Sequence, residues 1–273
     1  MTNISIDVPT SINEIDNVQV RERLELLIEE PHVLGIMLWG SRATGFALPN
    51  TDWDALIYVT DDYYNSLELN DTIWLEFDES IEPKRLVIDF SPISDAWFEQ
   101  QIDSPLDIDH FPYVEGVVIH DSSGKLEEWR KKLAEYPEDQ HLERLKNKYV
   151  LMQGAVGAAH IDTKREFHYD AKVNLYRAIV AGVNLWFTIK KSWTPPLKWW
   201  SMHAKKIGMS DETFKVFCDA LDNPSMTTVG TLYKQLRQLI LDDGYEFPND
   251  PITTFLETIH PDGRPGQIRH SYM

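Results

Sequence analysis

Two apolar runs with unusual punctuation between them set what the first part of this chain can become. Val33-Leu34-Gly35-Ile36-Met37-Leu38-Trp39 ends in Gly40-Ser41, and ten residues later Asp52-Trp53-Asp54 leads into Ala55-Leu56-Ile57-Tyr58-Val59. Apolar runs of this length read as buried strands. A strand that ends in Gly-Ser before a short helix leaves backbone N–H groups free to hold a phosphate. Two aspartates at i and i+2 of the next strand point to one face, about 6–7 Å apart along the chain. That spacing suits two oxygen ligands of one Mg²⁺ site.

A third carboxylate fits the same arrangement. Arg85-Leu86-Val87-Ile88-Asp89-Phe90-Ser91 reads as a strand interrupted only by Asp89, and an Asp inside an apolar run is costly to bury. If this strand lies beside the one carrying Asp52 and Asp54, the three form a cluster that is tolerable only with a cation between its members. Taken singly, each feature has a plain reading. Gly-Ser is a turn, Asn50-Thr51-Asp52 a turn and cap, and Asp89 a strand-end residue facing water. In order, on three expected strands, they equip a chain for phosphoryl or nucleotidyl transfer.

These residues, from Gly40-Ser41-Arg42-Ala43-Thr44-Gly45 through Asn50-Thr51-Asp52-Trp53-Asp54 to Asp89, resemble the signature of the nucleotidyltransferase superfamily related to DNA polymerase β. The likeness is strongest to its small prokaryotic branch, the aminoglycoside nucleotidyltransferases and the minimal nucleotidyltransferases. It covers roughly residues 30–120. Trp53 departs from the pattern, which has a smaller aliphatic residue there; the position is expected on the packed side of the sheet.

The resemblance implies Mg²⁺, two ions in all, with Asp52, Asp54 and Asp89 as metal ligands and catalytic residues. It implies ATP as co-substrate, held by Gly40 and Ser41. Asp89 would ligate the second metal, take the acceptor proton, or both. Arg42 is either a phosphate contact or a solvated arginine at a helix start. A helical-domain lysine reaches the triphosphate in resembling two-domain enzymes, and Lys198, beside Pro195-Pro196 and Trp199-Trp200, is the candidate.

The implied fold is α+β. A nucleotidyltransferase domain, a mixed sheet flanked by helices, spans 1–137, a helical substrate-binding bundle 138–260, and an extended tail 261–273. In the first domain a helix is expected over 11–30 and strands near 33–39, 53–59, 85–91 and 113–120, with Trp74 to Asp78 a further strand or a loop insertion. Leu126 to Tyr136 reads as helical. Helical periodicity then runs over 140–160, 166–190, 197–206, 211–221, 228–242 and 251–258, with Ser210 and Asp250 as N-caps. In the 166–190 helix, Val173, Tyr176, Val180, Val183 and Phe187 form an apolar stripe, widened by Leu175, Ile179 and Trp186. The opposite polar stripe carries Asp170, Asn174 and Arg177, as a solvent face, as a network between helices, or with Asp170 lining a cleft.

Charge bears on partners. With 44 acidic and 26 basic residues the formal net charge is −18. Such a chain repels a nucleic-acid backbone and favours a cationic acceptor, unless its acidity serves solubility alone. One cysteine, Cys218, rules out an internal disulfide framework, and Met1 to Asp7 has no signal-peptide pattern, so a cytoplasmic location is expected, with no membrane partner. The histidines show no metal-site spacing, and no GxSxG, Walker A or dinucleotide motif is present. The expected reaction moves AMP from ATP to a hydroxyl of a small, aminoglycoside-like acceptor. The alternatives are nucleotidylation of a tRNA end or a protein side chain, as in toxin–antitoxin minimal nucleotidyltransferases, or a degenerate nucleotide-binding module.

Overall fold

The structure, a computed structural model, describes residues 8–48 and 50–247. The expected helix over 251–258, the Asp250 cap and the 261–273 tail lie outside the described residues. The chain divides into two compact units that meet between Glu135 and Tyr136. It is an α+β fold, with a mixed five-stranded sheet and flanking helices followed by a helical region.

In the first unit β1 (Val33–Trp39), β2 (Trp53–Val59), β3 (Trp74–Asp78), β4 (Arg85–Ile93) and β5 (Val117–Asp121) form one sheet in the order β3-β4-β2-β1-β5. Strands β2 and β4 are parallel and the other pairs are antiparallel. The helices of this unit are α1 (Val18–Glu29), α2 (Gly40–Thr44), α3 (Asp61–Ser66), α4 (Asp95–Ile102), α5 (Asp107–Glu115) and α6 (Lys125–Ala134).

Side chains alternate across the pleat and so build two cores. Trp53, Ala55, Ile57 and Val59 of β2, with Ile36 and Leu38 of β1, pack under Val20, Leu24 and Leu27 of α1. On the other face Met37, Leu56 and Tyr58 meet Phe98 of α4, Tyr113 of α5 and Leu126 and Leu133 of α6. Trp53 is buried on the α1 face, where its strand position puts it.

Two expected elements change. Residues 11–30 are not one helix: a 3₁₀ turn, Ile12–Glu14, comes first, and α1 starts after Asn17, whose side chain accepts the Val20 N–H at 3.1 Å. Asn here caps the orphan donors of a new helix rather than continuing an old one. The strand expected from 113 begins at Val117, because Tyr113 enters the core from a helix that runs to Glu115. Gly116 separates the two: a Cβ there would lie 2.6 Å from the Pro112 carbonyl oxygen and 2.7 Å from Met37 Sδ. The segment Trp74 to Asp78 is a strand, on the edge of the sheet.

The second unit holds α7 (His141–Lys164), α8 (His168–Ile189), α9 (Trp200–Lys206), α10 (Asp211–Asp222) and α11 (Met226–Asp242). Ser210 caps α10, its side chain accepting the Thr213 N–H at 3.2 Å. The face of α8 differs from the expectation. Leu175, Ile179, Val183, Trp186 and Phe187 are buried, but Val173 is 59% and Tyr176 41% exposed. The packed side also holds small residues, Ala171, Ala178 and Gly182, and at Gly182 the side chains of Met152 from α7 and Leu232 and Leu236 from α11 come close. Bulk alone misleads on a helix that is apolar nearly all round. Among the described residues no helix is long and apolar enough to cross a membrane.

At Gly182 a Cβ would meet Met152 Cε at 3.2 Å, Leu236 Cδ1 at 3.3 Å and Leu232 Cδ2 at 3.4 Å. Gly182→Val should therefore overpack the helical unit and cost about 1–3 kcal/mol in urea unfolding. Gly182→Ala, where side-chain ends need shift by only tenths of an ångström and helix propensity improves, should stay within about 1 kcal/mol of the parent.

Candidate active site

The three aspartates come together through strand register. Asp54 is the second residue of β2 and sits directly opposite Asp89 in the parallel β2–β4 pair, and opposite Trp39 in the β1–β2 pair. Asp52 immediately precedes β2 and points the same way as Asp54 by the two-residue period. The result is one cluster: each carboxylate offers an oxygen lying within 4.8 Å of the others, and all three residues are half-buried. Helices α4 to α6 cover Leu56 and Tyr58 further along the same face of β2.

Electrostatics bear the strain of that arrangement. Asp89 has its pKa raised above the ordinary carboxylate range, first by burial and then by the negative charge of Asp52. An all-oxygen donor set of three half-buried carboxylates is the chemistry of a hard divalent cation, so these residues fit Mg²⁺.

Gly40 closes the site from the β1 side. It has φ +73°, in the left-handed region, and a Cβ would overlap the Asp54 carboxylate, with Asp54 Cγ at 2.7 Å. Only glycine allows the backbone this close to the cluster. Ser41 follows, 5% exposed, and its Oγ has no hydrogen-bond partner among the described residues. A buried hydroxyl of this kind beside a carboxylate cluster has donor capacity for a bound group.

Arg42 is also 5% exposed, so it is not the solvated arginine of one expectation. Its guanidinium donates to the Thr51 carbonyl at 3.0 Å and lies 4.7 Å from the Trp53 ring centroid. These contacts hold the chain on both sides of Asp52. The aromatic face of Trp53, the departure from the family pattern, is what the guanidinium rests on. Asn50 is held from β4, its side-chain oxygen accepting from Arg85 at 2.9 Å. Sequence reading missed Arg85 and Thr51 as supports of the aspartates, because bonds that close a loop carry no spacing signal.

The candidates on the helical unit are placed as follows. Lys198 is exposed, in a 3₁₀ turn (Leu197–Trp199) ahead of α9, with Nζ 4.6 Å from the centre of the Trp199 ring. Asp170 is exposed in the first turn of α8. The network between helices does form, but through Asp162 of α7: Asn174 donates to it at 2.8 Å and accepts from Arg177 at 3.1 Å.

Comparison with known proteins adds little at the site. The family described as "Domain of unknown function (DUF4037)" matches residues 110–200, a stretch that excludes all three aspartates. No curated protein matches the chain. Among solved structures the chain is similar to a nucleotidyltransferase-like protein from Exiguobacterium sibiricum 255-15. The identity is 14%, the match covers 86% of this chain and 74% of that one, and the TM-score is 0.46.

Two outcomes follow from the geometry. Gly40→Ala should displace Asp54 and lower divalent-cation affinity by at least tenfold in a Mn²⁺ or Mg²⁺ titration, while Gly45→Ala, at φ +76° but outside the cluster, should cost stability only. The second concerns pH. Asp89 binds its proton more tightly folded than unfolded, so its contribution to stability is full below the ordinary carboxylate pKa and is lost as pH rises through the raised value. Metal-free Asp89→Asn should lose that component and melt at a higher temperature than the parent at neutral pH, with the difference shrinking when Mg²⁺ is added.

Proposed function

We propose that the chain is a metal-dependent nucleotidyltransferase that moves AMP from ATP to a hydroxyl of a small, cationic acceptor and releases pyrophosphate. The observation that carries this reading is the placement of Asp52, Asp54 and Asp89 within reach of one another, beside a glycine that lets the backbone approach them. Bound Mg²⁺ would offset charge on the triphosphate and draw electrons from the α-phosphorus.

In this reading Asp52 and Asp54 hold the metal and so position the triphosphate. Gly40 offers backbone N–H approach and Ser41 its buried hydroxyl to the terminal phosphates. We assign Arg42 to bracing Asp52, given its bonds to Thr51 and Trp53, with a phosphate contact as its second role. Asp89 accepts the acceptor's hydroxyl proton. The resulting oxygen forms a bond to the α-phosphorus, the bond to the bridging oxygen breaks, and pyrophosphate carries away the electron pair. A carboxylate whose pKa is raised by burial and by Asp52 is a better base than a solvated one. Lys198 remains a proposed triphosphate contact, on the family resemblance. The negative surface favours a cationic acceptor over tRNA.

The test is pyrophosphate release with Mg²⁺ and each nucleoside triphosphate, against aminoglycosides, other amino alcohols, tRNA and the protein itself. Asp52→Asn and Asp54→Asn should abolish transfer and weaken Mg²⁺–ATP binding together. Asp89→Asn should leave Mg²⁺–ATP binding within a few-fold and cut kcat by about 10²–10⁴. Near-parental rates in Asp52→Asn and Asp54→Asn would overturn the assignment.

A further inference from the structure

Strand β3 has its polarity inside out. Glu76 and Asp78, the residues expected to face water on an edge strand, are half-buried and paired with Arg23 and Arg85, each at 3.2 Å. Leu75 and Phe77, which alternate with them, are 48% and 44% exposed. A half-solvated sheet ordinarily reads the other way, with apolar residues inward and charges out. Bare apolar side chains on an edge strand also invite unwanted pairing, which natural edges avoid with charge.

The exposed pair is not on an arbitrary face. In the antiparallel β3–β4 pair Leu75 sits directly opposite Asp89, while Trp74 and Glu76 stand opposite Phe90 and Ile88 and so share the α1 face. Opposed residues project from the same side of a sheet, with Cβ atoms about 4.5–5.5 Å apart. One row of side chains therefore crosses the sheet as Trp39, Asp54, Asp89, Leu75. Phe77 lies two residues beyond Leu75, past a register irregularity between Glu76 and Phe77, where it stands opposite Leu86 and is 44% exposed.

Gly40 and Ser41 flank the cluster at the Asp54 end of the row, and Leu75 and Phe77 at the Asp89 end. We propose that Leu75 and Phe77 form the shelf on which the acceptor lies, so that the acceptor carries an apolar face next to its reacting hydroxyl. This rests on the reading of the aspartates as a transfer site with Asp89 turned to the acceptor. A hydroxyl held over Asp89 puts the neighbouring part of its molecule against Leu75. A purely polar polyol would leave that surface wet, whereas an amino alcohol with an apolar body would cover it. The acceptor class becomes an amphiphilic, cationic alcohol: charge draws it to an acidic protein and the apolar contact fixes which hydroxyl meets Asp89.

The probes are phenylalaninol and ethanolamine, which share an ammonium group and a primary hydroxyl and differ in apolar body. Each is titrated into the full-length protein by calorimetry, once with Mg²⁺ and α,β-methylene-ATP and once without nucleotide. Phenylalaninol should bind at least tenfold tighter than ethanolamine. Leu75→Gln, and more so Leu75→Gln with Phe77→Gln, should bring the ratio to within about twofold of unity, with nucleotide affinity unchanged within twofold. Leu69→Gln, an exposed leucine outside the row, should leave the ratio intact. Equal binding of the two amino alcohols by the parent, or a preference that survives in the double variant, would overturn the proposal. Failure of the transfer reading has a different signature: the parent would not bind Mg²⁺ and the nucleotide analogue, whatever its ratio for the amino alcohols.

Discussion

Three carboxylates held together in a half-buried site repel one another, and the first unit is arranged so that they cannot separate. Asp54 and Asp89 are fixed by the parallel ladder between β2 and β4, in which every residue from Trp53 to Tyr58 has its partner. A slip of one residue in that register would turn Asp89 into the α1 core and bring Ile88 or Phe90 out in its place. The apolar cores on both faces forbid the slip. The free energy that keeps the charges close therefore comes from burying Trp53, Ala55, Ile57, Ile88 and Phe90 on the opposite face of the sheet.

Asp52 lies off the ladder and needs a different restraint. The loop before it is tied from α2 by Arg42, which reaches Thr51 and rests on Trp53, and from β4 by Arg85, which reaches Asn50. Gly40 then sets the near wall, since no side chain fits between its backbone and Asp54. Rigid strands position two carboxylates and a braced loop the third. The closeness this enforces shows in Asp89, whose pKa burial and the charge of Asp52 push up.

What the sequence carried and what it withheld divide along physical lines. The strands bearing Asp54 and Asp89 were legible because an Asp within an apolar run stands out locally. The order of strands was not, since pairing is a long-range property; that Leu75 faces the same side as Asp89 follows only from the β3–β4 register. On α8 the apolar periodicity found the buried Leu175, Ile179, Val183, Trp186 and Phe187 but also pointed at the exposed Val173 and Tyr176, and it passed over the buried Ala171, Ala178 and Gly182. Close approach of backbones rewards the absence of side chains, which a hydrophobicity pattern scores as nothing. The Asp162–Asn174–Arg177 network was likewise half legible: Asn174 and Arg177 lie one turn apart, but Asp162 belongs to another helix.

Net charge and local polarity act at different ranges, and the two should not be expected to agree. A charge of −18 produces a field felt over about a Debye length, roughly 8–10 Å in physiological salt, and it raises the encounter rate of any cation. It does not distinguish one cation from another or one hydroxyl from its neighbour. Discrimination requires contacts that form only in the reactive pose. Beside Asp89 the available contact surface is apolar, with the nearest acids of β3, Glu76 and Asp78, turned away and neutralised by arginines. Had those acids faced the cluster, they would have added to the repulsion there and competed for the cation. Pairing them with Arg23 and Arg85 lowers that repulsion and leaves Leu75 and Phe77 as the exposed side chains of β3.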